Sequence, residues 1–172
     1  DYSRARKSLF DAVALSRSSD ELSRAVLWLF FALRRTGNSK EAAEVLAAAD
    51  PAWAVGSGRA DMQLLLAYKG LLPPDSIQAR AITPDRGDRA LYSYAVGYFL
   101  ALNPERSDEA VRWFEHARAS RNWASLPYLA AEADLVAQRE RRDAHDAPAL
   151  LGDAHEEVRV RQRLAVRLRE RD

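Results

Sequence analysis

The chain has 172 residues, with 26 basic and 25 acidic side chains, a formal net charge of +1 and no cysteine. A chain of this length forms one domain or a short repeat array, and it can bury a sufficient core without disulfides or a structural metal. The balanced charge excludes a protein-wide field that would select nucleic acid or a membrane surface. The absence of cysteine excludes a disulfide scaffold, a thiolate zinc site and a cysteine nucleophile.

Apolar residues at helical spacing, separated by Gly, Pro and capping residues, predict helices throughout and no strand. The predicted helices cover residues 3–17, 20–36, 39–49, 59–69, 76–81, 88–102, 107–119, 125–142 and 153–169. The longest apolar run has nine residues, 25–33. A transmembrane helix needs about 20 apolar residues, so we predict no membrane span. The predicted fold class is all-α, built from antiparallel helix hairpins.

The predicted helix ends rest on local signals. Ser18 with Glu21, and Asn38 with Glu41, have the spacing of capping boxes, in which a side chain accepts from an unpaired helix amide. Gly37 is predicted to end the second helix, because glycine enters the left-handed conformation without a Cβ penalty.

Two helical segments share a pattern of small and large apolar residues. The matching positions are Ala42, Leu46 and Ala49 in the earlier segment and Ala110, Phe114 and Ala117 in the later one. Positions 42 and 110 differ by 68, which is twice 34. A 34-residue period with two helices per unit is typical of the tetratricopeptide (TPR) repeat, so residues 22–139 resemble TPR proteins.

This resemblance implies a right-handed α-solenoid of about three to four helix hairpins in a single domain, residues 1–172. Its parts are an N-terminal helix (3–17), a first clear repeat (20–50), a degenerate repeat (59–82), a second clear repeat (88–119), an array-closing helix (125–142) and an Arg-rich C-terminal capping helix (147–170). The sequence departs from the family at Phe30, where glycine is preferred, and in the middle unit. The alternative is an unrelated helical bundle.

Within the TPR class the chain is similar to NlpI-type lipoprotein adaptors of the bacterial cell envelope. The similarity lies in Tyr68-Lys69-Gly70, in Pro73-Pro74-Asp75-Ser76, in residues 94–100 and in the closing helix at 126–132. It implies a non-enzymatic adaptor without a cofactor, which docks a hydrolase or protease, and a homodimer. It also implies a location in the envelope or periplasm, with the cytoplasm as the alternative. The lipidated cysteine of such adaptors is absent here.

Stacked hairpins leave the first helix of each unit lining a concave groove. We therefore predict that a peptide or protein partner binds there. The predicted groove residues are Arg24, Leu27, Phe31 and Arg35 in the earlier unit and Leu91, Tyr94, Tyr98 and Leu102 in the later one. Aromatic rings supply contact area and guanidinium groups pair with carboxylates. The alternative for each aromatic residue is core packing between neighbouring units.

Catalytic and metal-binding patterns are weak. A metal interpretation would group the polar residues Asp143, His145, Asp146, Asp153, His155 and Glu156. They lack the fixed ligand spacing of a zinc site, so a solvated loop is favoured and no metal is predicted. His116 is predicted to be a surface residue. No nucleophile–base pattern or phosphate-binding loop is present, so we predict no enzyme activity, with a metal-dependent enzyme as the second alternative function.

Two further surfaces carry alternatives. The C-terminal helix contains Arg159, Arg161, Arg163, Arg167, Arg169 and Arg171. These residues either form the solvated face of a capping helix, which we favour, or contact an anionic partner such as nucleic acid or lipid head groups. The apolar run 25–33 must be covered on every side, either by neighbouring helices or by self-association.

Overall fold

The computed structural model describes residues 2–53, 59–83 and 88–144. All regular structure in these residues is helical, as predicted. The helices are α1 (Tyr2–Leu15), α2 (Ser19–Arg35), α3 (Ser39–Ala48), α4 (Arg59–Tyr68), α5 (Pro74–Ile82), α6 (Arg89–Ala101), α7 (Ser107–Arg118) and α8, which is helical over 126–144. Short 3-10 turns at Pro51–Trp53 and Pro104–Arg106 precede α4 and α7. The predicted helix at 153–169 lies outside the described residues.

Two local predictions about helix ends are confirmed and one is wrong. Ser18 Oγ accepts a hydrogen bond from the Glu21 amide at 3.2 Å, so it caps α2. Gly37 has a φ of +77°, in the left-handed region, and follows α2 as expected. Asn38 is the N-cap residue of α3, but its side chain makes no capping hydrogen bond, and its Nδ2 donates to Thr36 Oγ1 at 2.8 Å. The Asn38 side chain thus stabilises the turn before α3 rather than the first turn of the helix.

Helices α2, α4 and α6 run parallel to one another. Trp28 stacks on Tyr94 at 5.4 Å and Phe31 contacts Tyr98 at 4.6 Å, so contacts advance in the same direction along α2 and α6. Arg24 with Asp61, and Phe31 with Tyr68, give α2 and α4 the same relation. We call α2, α4, α6 and α8 the first helices, because α2, α4 and α6 are each followed by a shorter helix that contacts them.

The core lies around α2. Every residue from 25 to 33 is buried, and α1, α3, α4 and the aromatic side chains of α6 cover the helix. The chain itself therefore covers this apolar run, which offers no exposed self-association surface. In the part of the chain that the structure describes, no helix has both the length and the apolar character that crossing a bilayer requires.

The repeated alanines are buried in both segments, whereas the large residues between them differ, since Leu46 is half-buried and Phe114 is fully buried. Ala42 and Ala110 are fully buried, and Ala49 and Ala117 are buried as well. In the later pair of helices Gly97 explains the close packing, since a Cβ there would lie 2.8 Å from the Phe114 ring and 3.2 Å from the Ala110 carbonyl oxygen. Small residues on both helices thus set how closely α6 approaches α7.

Candidate functional site

Half of the predicted groove residues are buried in the core. Leu27, Phe31, Tyr94 and Tyr98 are each at most 2% exposed. Phe31 contacts Tyr94 edge-on at 5.3 Å, and Tyr94 contacts Phe114 at 5.7 Å. In this arrangement the four side chains join α2 to α6, which is the core-packing alternative rather than an open binding surface.

Arg35 is also engaged within the fold. Its guanidinium donates to the Asp134 carboxylate of α8 and lies 4.7 Å from the centre of the Tyr98 ring. Asp134 is 1% exposed, so the ion pair is shielded from water. Burial raises the pKa of the Tyr98 hydroxyl to about 12, although the Arg35 charge opposes that rise. Arg35 therefore holds α2, α6 and α8 together and is not available to a partner.

A cleft opens where residues from the N-terminal parts of the first helices converge. It has a volume of about 350 Å³. Its lining residues are Arg24 and Trp28 from α2, Ala60 and Asp61 from α4, Asp88 and Leu91 at the start of α6, and Leu126 and Pro127 at the start of α8. We call it the first-helix cleft. Two predicted groove residues, Arg24 and Leu91, line it together.

The cleft combines apolar walls with two charged side chains, of which Arg24 is exposed to water and Asp61 is buried. The Arg24 side chain is 53% exposed, whereas that of Asp61 is 5% exposed, and the Arg24 Nε lies 3.7 Å from Asp61 Oδ2. Burial raises the pKa of the Asp61 carboxyl from 3.8 to about 6, despite the opposing attraction of Arg24. A ligand cation in the cleft would therefore meet a carboxylate that water solvates poorly.

Sequence reasoning missed most of the remaining cleft residues. Trp28 lies one helical turn after Arg24, so the helical period could have identified it. Asp61 belongs to the degenerate middle unit, where no repeat signature gave a register. Asp88, Leu126 and Pro127 occupy helix starts, and only the parallel packing of the first helices brings those starts together.

The last predicted groove residue, Leu102, lies elsewhere. It follows the C-terminal end of α6 and is exposed, but it does not line the cleft. A second, smaller cavity of about 150 Å³ lies among α4, α5, α6 and α7, with Tyr68, Phe99 and Trp113 in its wall.

His116 is half-buried and bonded, which corrects the prediction of a free surface residue. An Arg89 Nη lies 2.6 Å from His116 Nε2, and Ser93 Oγ lies 2.8 Å from Nδ1. A guanidinium can only donate, so Nε2 accepts and Nδ1 carries the proton and donates to Ser93. Burial, followed by the nearby Arg89 charge, lowers the pKa of His116. The ring therefore links α6 to α7 in its neutral form.

Within residues 2–53, 59–83 and 88–144, no group of three or more acidic or histidine side chains could hold a metal ion. Of the metal interpretation only Asp143 lies in these ranges. His145, Asp146, Asp153, His155 and Glu156 lie outside the described residues, as do the C-terminal arginines.

The first-helix cleft is thus a concave site with apolar walls and with carboxylates at helix starts, and it is wider and more open than the cavity among α4, α5, α6 and α7. Comparison of the chain with family models, with curated proteins and with solved structures finds no match.

Proposed function

We propose that the chain is a non-enzymatic, TPR-like scaffold that binds a segment of a partner protein in its first-helix cleft. The observation that carries the proposal is the convergence of four first helices on one cleft, to which each contributes at least one residue. A surface assembled from successive repeats suits an extended peptide, because each helix can contact a different part of it.

The separations between contacting first helices support a TPR-like repeat. Asp61 follows Arg24 by 37 residues, Tyr98 follows Phe31 by 67, and Asp134 follows Arg35 by 99. These values approach one, two and three times the ~34-residue TPR period. The equivalent burial of Ala42 and Ala110 supports the same register. A right-handed solenoid is part of this proposal.

The cleft lining favours a particular ligand chemistry. Asp61 provides a poorly solvated carboxylate, while Trp28 and Leu91 provide apolar contact. A peptide with a Lys or Arg beside an aliphatic or aromatic residue fits these groups, because the cation gains a poorly hydrated carboxylate and the apolar side chain is removed from water. We infer that the partner presents such a segment.

The resemblance to NlpI-type adaptors extends the proposal to the setting. On that basis the partner is a hydrolase or protease of the bacterial cell envelope, and the scaffold acts as a homodimer. The cleft chemistry does not depend on this setting and can be tested separately.

The test is selection of peptides from a random display library on the immobilised chain, followed by affinity measurements with the selected peptides. Two cleft variants, Asp61→Asn and Leu126→Ala, are compared with Asp11→Asn and Leu71→Ala, which change exposed residues outside the cleft. We expect enrichment of peptides that carry a basic residue beside an apolar one. A cleft variant that removes a contact contributing much of the binding energy should lower the peptide affinity about ten-fold or more. No enrichment, or equal affinities for cleft and control variants, would refute the proposal.

A further inference from the structure

One edge of α8 carries a row of exposed apolar side chains, which begins at the first-helix cleft with Leu126. Leu126, Leu129 and Val136 are 50%, 49% and 54% exposed, and Ala133 between them is also exposed. Their spacing of three, four and three residues places them on one edge of the helix, which we call the outer stripe. The opposite side of α8 packs inward through Ala131 and Asp134, which are buried.

This distribution is typical of a helix that is covered on two sides. A terminal helix in a stacked array normally presents a polar outer face to water. Single exposed apolar residues are common on protein surfaces, but four of them in one row over three helical turns form a continuous apolar strip. We therefore expect another segment to pack on the outer stripe. The 28 residues that follow residue 144 are a candidate for that segment.

The sequence of that continuation has a matching pattern. Positions 151, 154, 158, 161, 165 and 168 are spaced alternately by three and four residues, which places them on one side of a helix. Five of them are apolar, namely Leu151, Ala154, Val158, Ala165 and Leu168, and the sixth is Arg161. On a helical register, Arg159, Arg163 and Arg167 fall on the opposite side. One apolar edge and one charged side indicate a helix that is buried on one side only.

We propose that residues 151–168 form a helix that docks antiparallel on the outer stripe of α8. The connection between the two helices is short, and short connections join antiparallel neighbours. Facing residues in such a pair have a nearly constant sum of residue numbers. Leu129 with Leu168 and Ala133 with Ala165 give 297 and 298, which centres the connection next to Pro148, where a helix is interrupted.

The occupant is the chain's own segment rather than another molecule. A covalently attached segment competes at an effective concentration in the millimolar range, which a free partner seldom reaches. In this position the apolar edges of both helices leave water, and the guanidinium groups of Arg159, Arg163 and Arg167 stay solvated. Leu126 also lines the first-helix cleft, but Leu129, Ala133 and Val136 do not, and the inference is tested through these three residues independently of the cleft-binding proposal.

The absence of cysteine makes disulfide crosslinking in the full chain a direct test. We would prepare the double variants Leu129→Cys/Leu168→Cys and Ala133→Cys/Ala165→Cys. The control, Ala133→Cys/Arg167→Cys, moves the second thiol about 200° around the helix. A disulfide needs Cα atoms within about 7 Å, so only facing pairs should close rapidly under mild oxidation.

The expected result is loss of both free thiols in the monomer for the two facing pairs, with a control that remains largely reduced. Covalent dimers would overturn the proposal by assigning the outer stripe to a second copy. Equal crosslinking of all three pairs, or of none, would show that the segment does not dock in this register.

A second measurement does not require disulfide geometry. In the full chain, Leu129→Asp with Val136→Asp should abolish protection of the amides of residues 151–168 against hydrogen exchange, while α2 and α6 keep theirs. Unchanged protection, or no protection in the unsubstituted chain, would contradict docking on the outer stripe. Neither experiment uses a cleft ligand, so their failure is distinguishable from failure of the proposed function.

Discussion

The Arg35 guanidinium donates to the carboxylate of Asp134, 99 residues later in the chain, and lies over the ring of Tyr98. This one side chain, at the end of α2, thus connects α2 with α6 and with α8. Because the carboxylate is almost fully buried, removing either partner would leave an uncompensated charge in the protein interior.

We therefore expect Asp134→Ala to lower the free energy of unfolding by about 3–5 kcal/mol, because it leaves a largely buried guanidinium without its carboxylate. Replacing both partners, with Arg35→Met and Asp134→Leu, should recover most of the loss. Urea unfolding followed by circular dichroism measures both values. A double variant that is no more stable than Asp134→Ala would contradict this explanation.

Gly97→Ala tests the close approach of α6 to α7. In an ordinary helix interior this change stabilises by about 1 kcal/mol. Here the added Cβ would lie 2.8 Å from the Phe114 ring, so we expect a destabilisation of about 1–3 kcal/mol instead. The measurement is thermal or urea unfolding. Phe114→Leu in the Gly97→Ala background should reduce the penalty of the added methyl group, and if it does not, the clash is not the cause.

The Asp61 carboxyl should make stability depend on pH between 3.8 and about 6, since burial raises its folded-state pKa to about 6. The folded protein binds this proton more tightly than the unfolded chain. The contribution of this group to stability is therefore lost as pH rises through that range. Asp61→Asn should remove this dependence and increase the free energy of unfolding at pH 7 by about 1–3 kcal/mol. Stability curves for both proteins at pH 4 to 7 decide the matter; parallel curves would rule out the raised pKa.

His116 should act in the opposite direction. Burial and the Arg89 charge lower its folded-state pKa below the usual 6.5, so the unfolded chain binds the proton more tightly. Its contribution to stability is present above pH 6.5 and is lost as pH falls from there toward the folded-state pKa. Nitrogen NMR of the imidazole at pH 7 should show the neutral ring protonated at Nδ1, as the bond to Ser93 requires. A ring protonated at Nε2 would contradict the hydrogen-bond assignment.

The sequence by itself determined the all-α class and most helix ends, because these depend on interactions within a few residues. Gly37 ends α2 and Ser18 caps it through groups that are neighbours in the chain. Asn38 was assigned wrongly because two local partners, the α3 amides and Thr36, compete for one side chain. Ala42 and Ala110, which the sequence pattern singled out, are both fully buried, and a position buried between closely packed helices favours a small residue.

Only the tertiary structure decided which side chains of the first helices face a cavity. Phe31 on α2 and Tyr98 on α6 lie on helix faces that could equally line an open groove. They are buried because the two rings meet, with their centres 4.6 Å apart. Arg24 and Asp61 likewise meet in the cleft. Spacing along a helix determines the direction in which a side chain points, whereas the distance between helices determines whether it meets water, a ligand or another side chain.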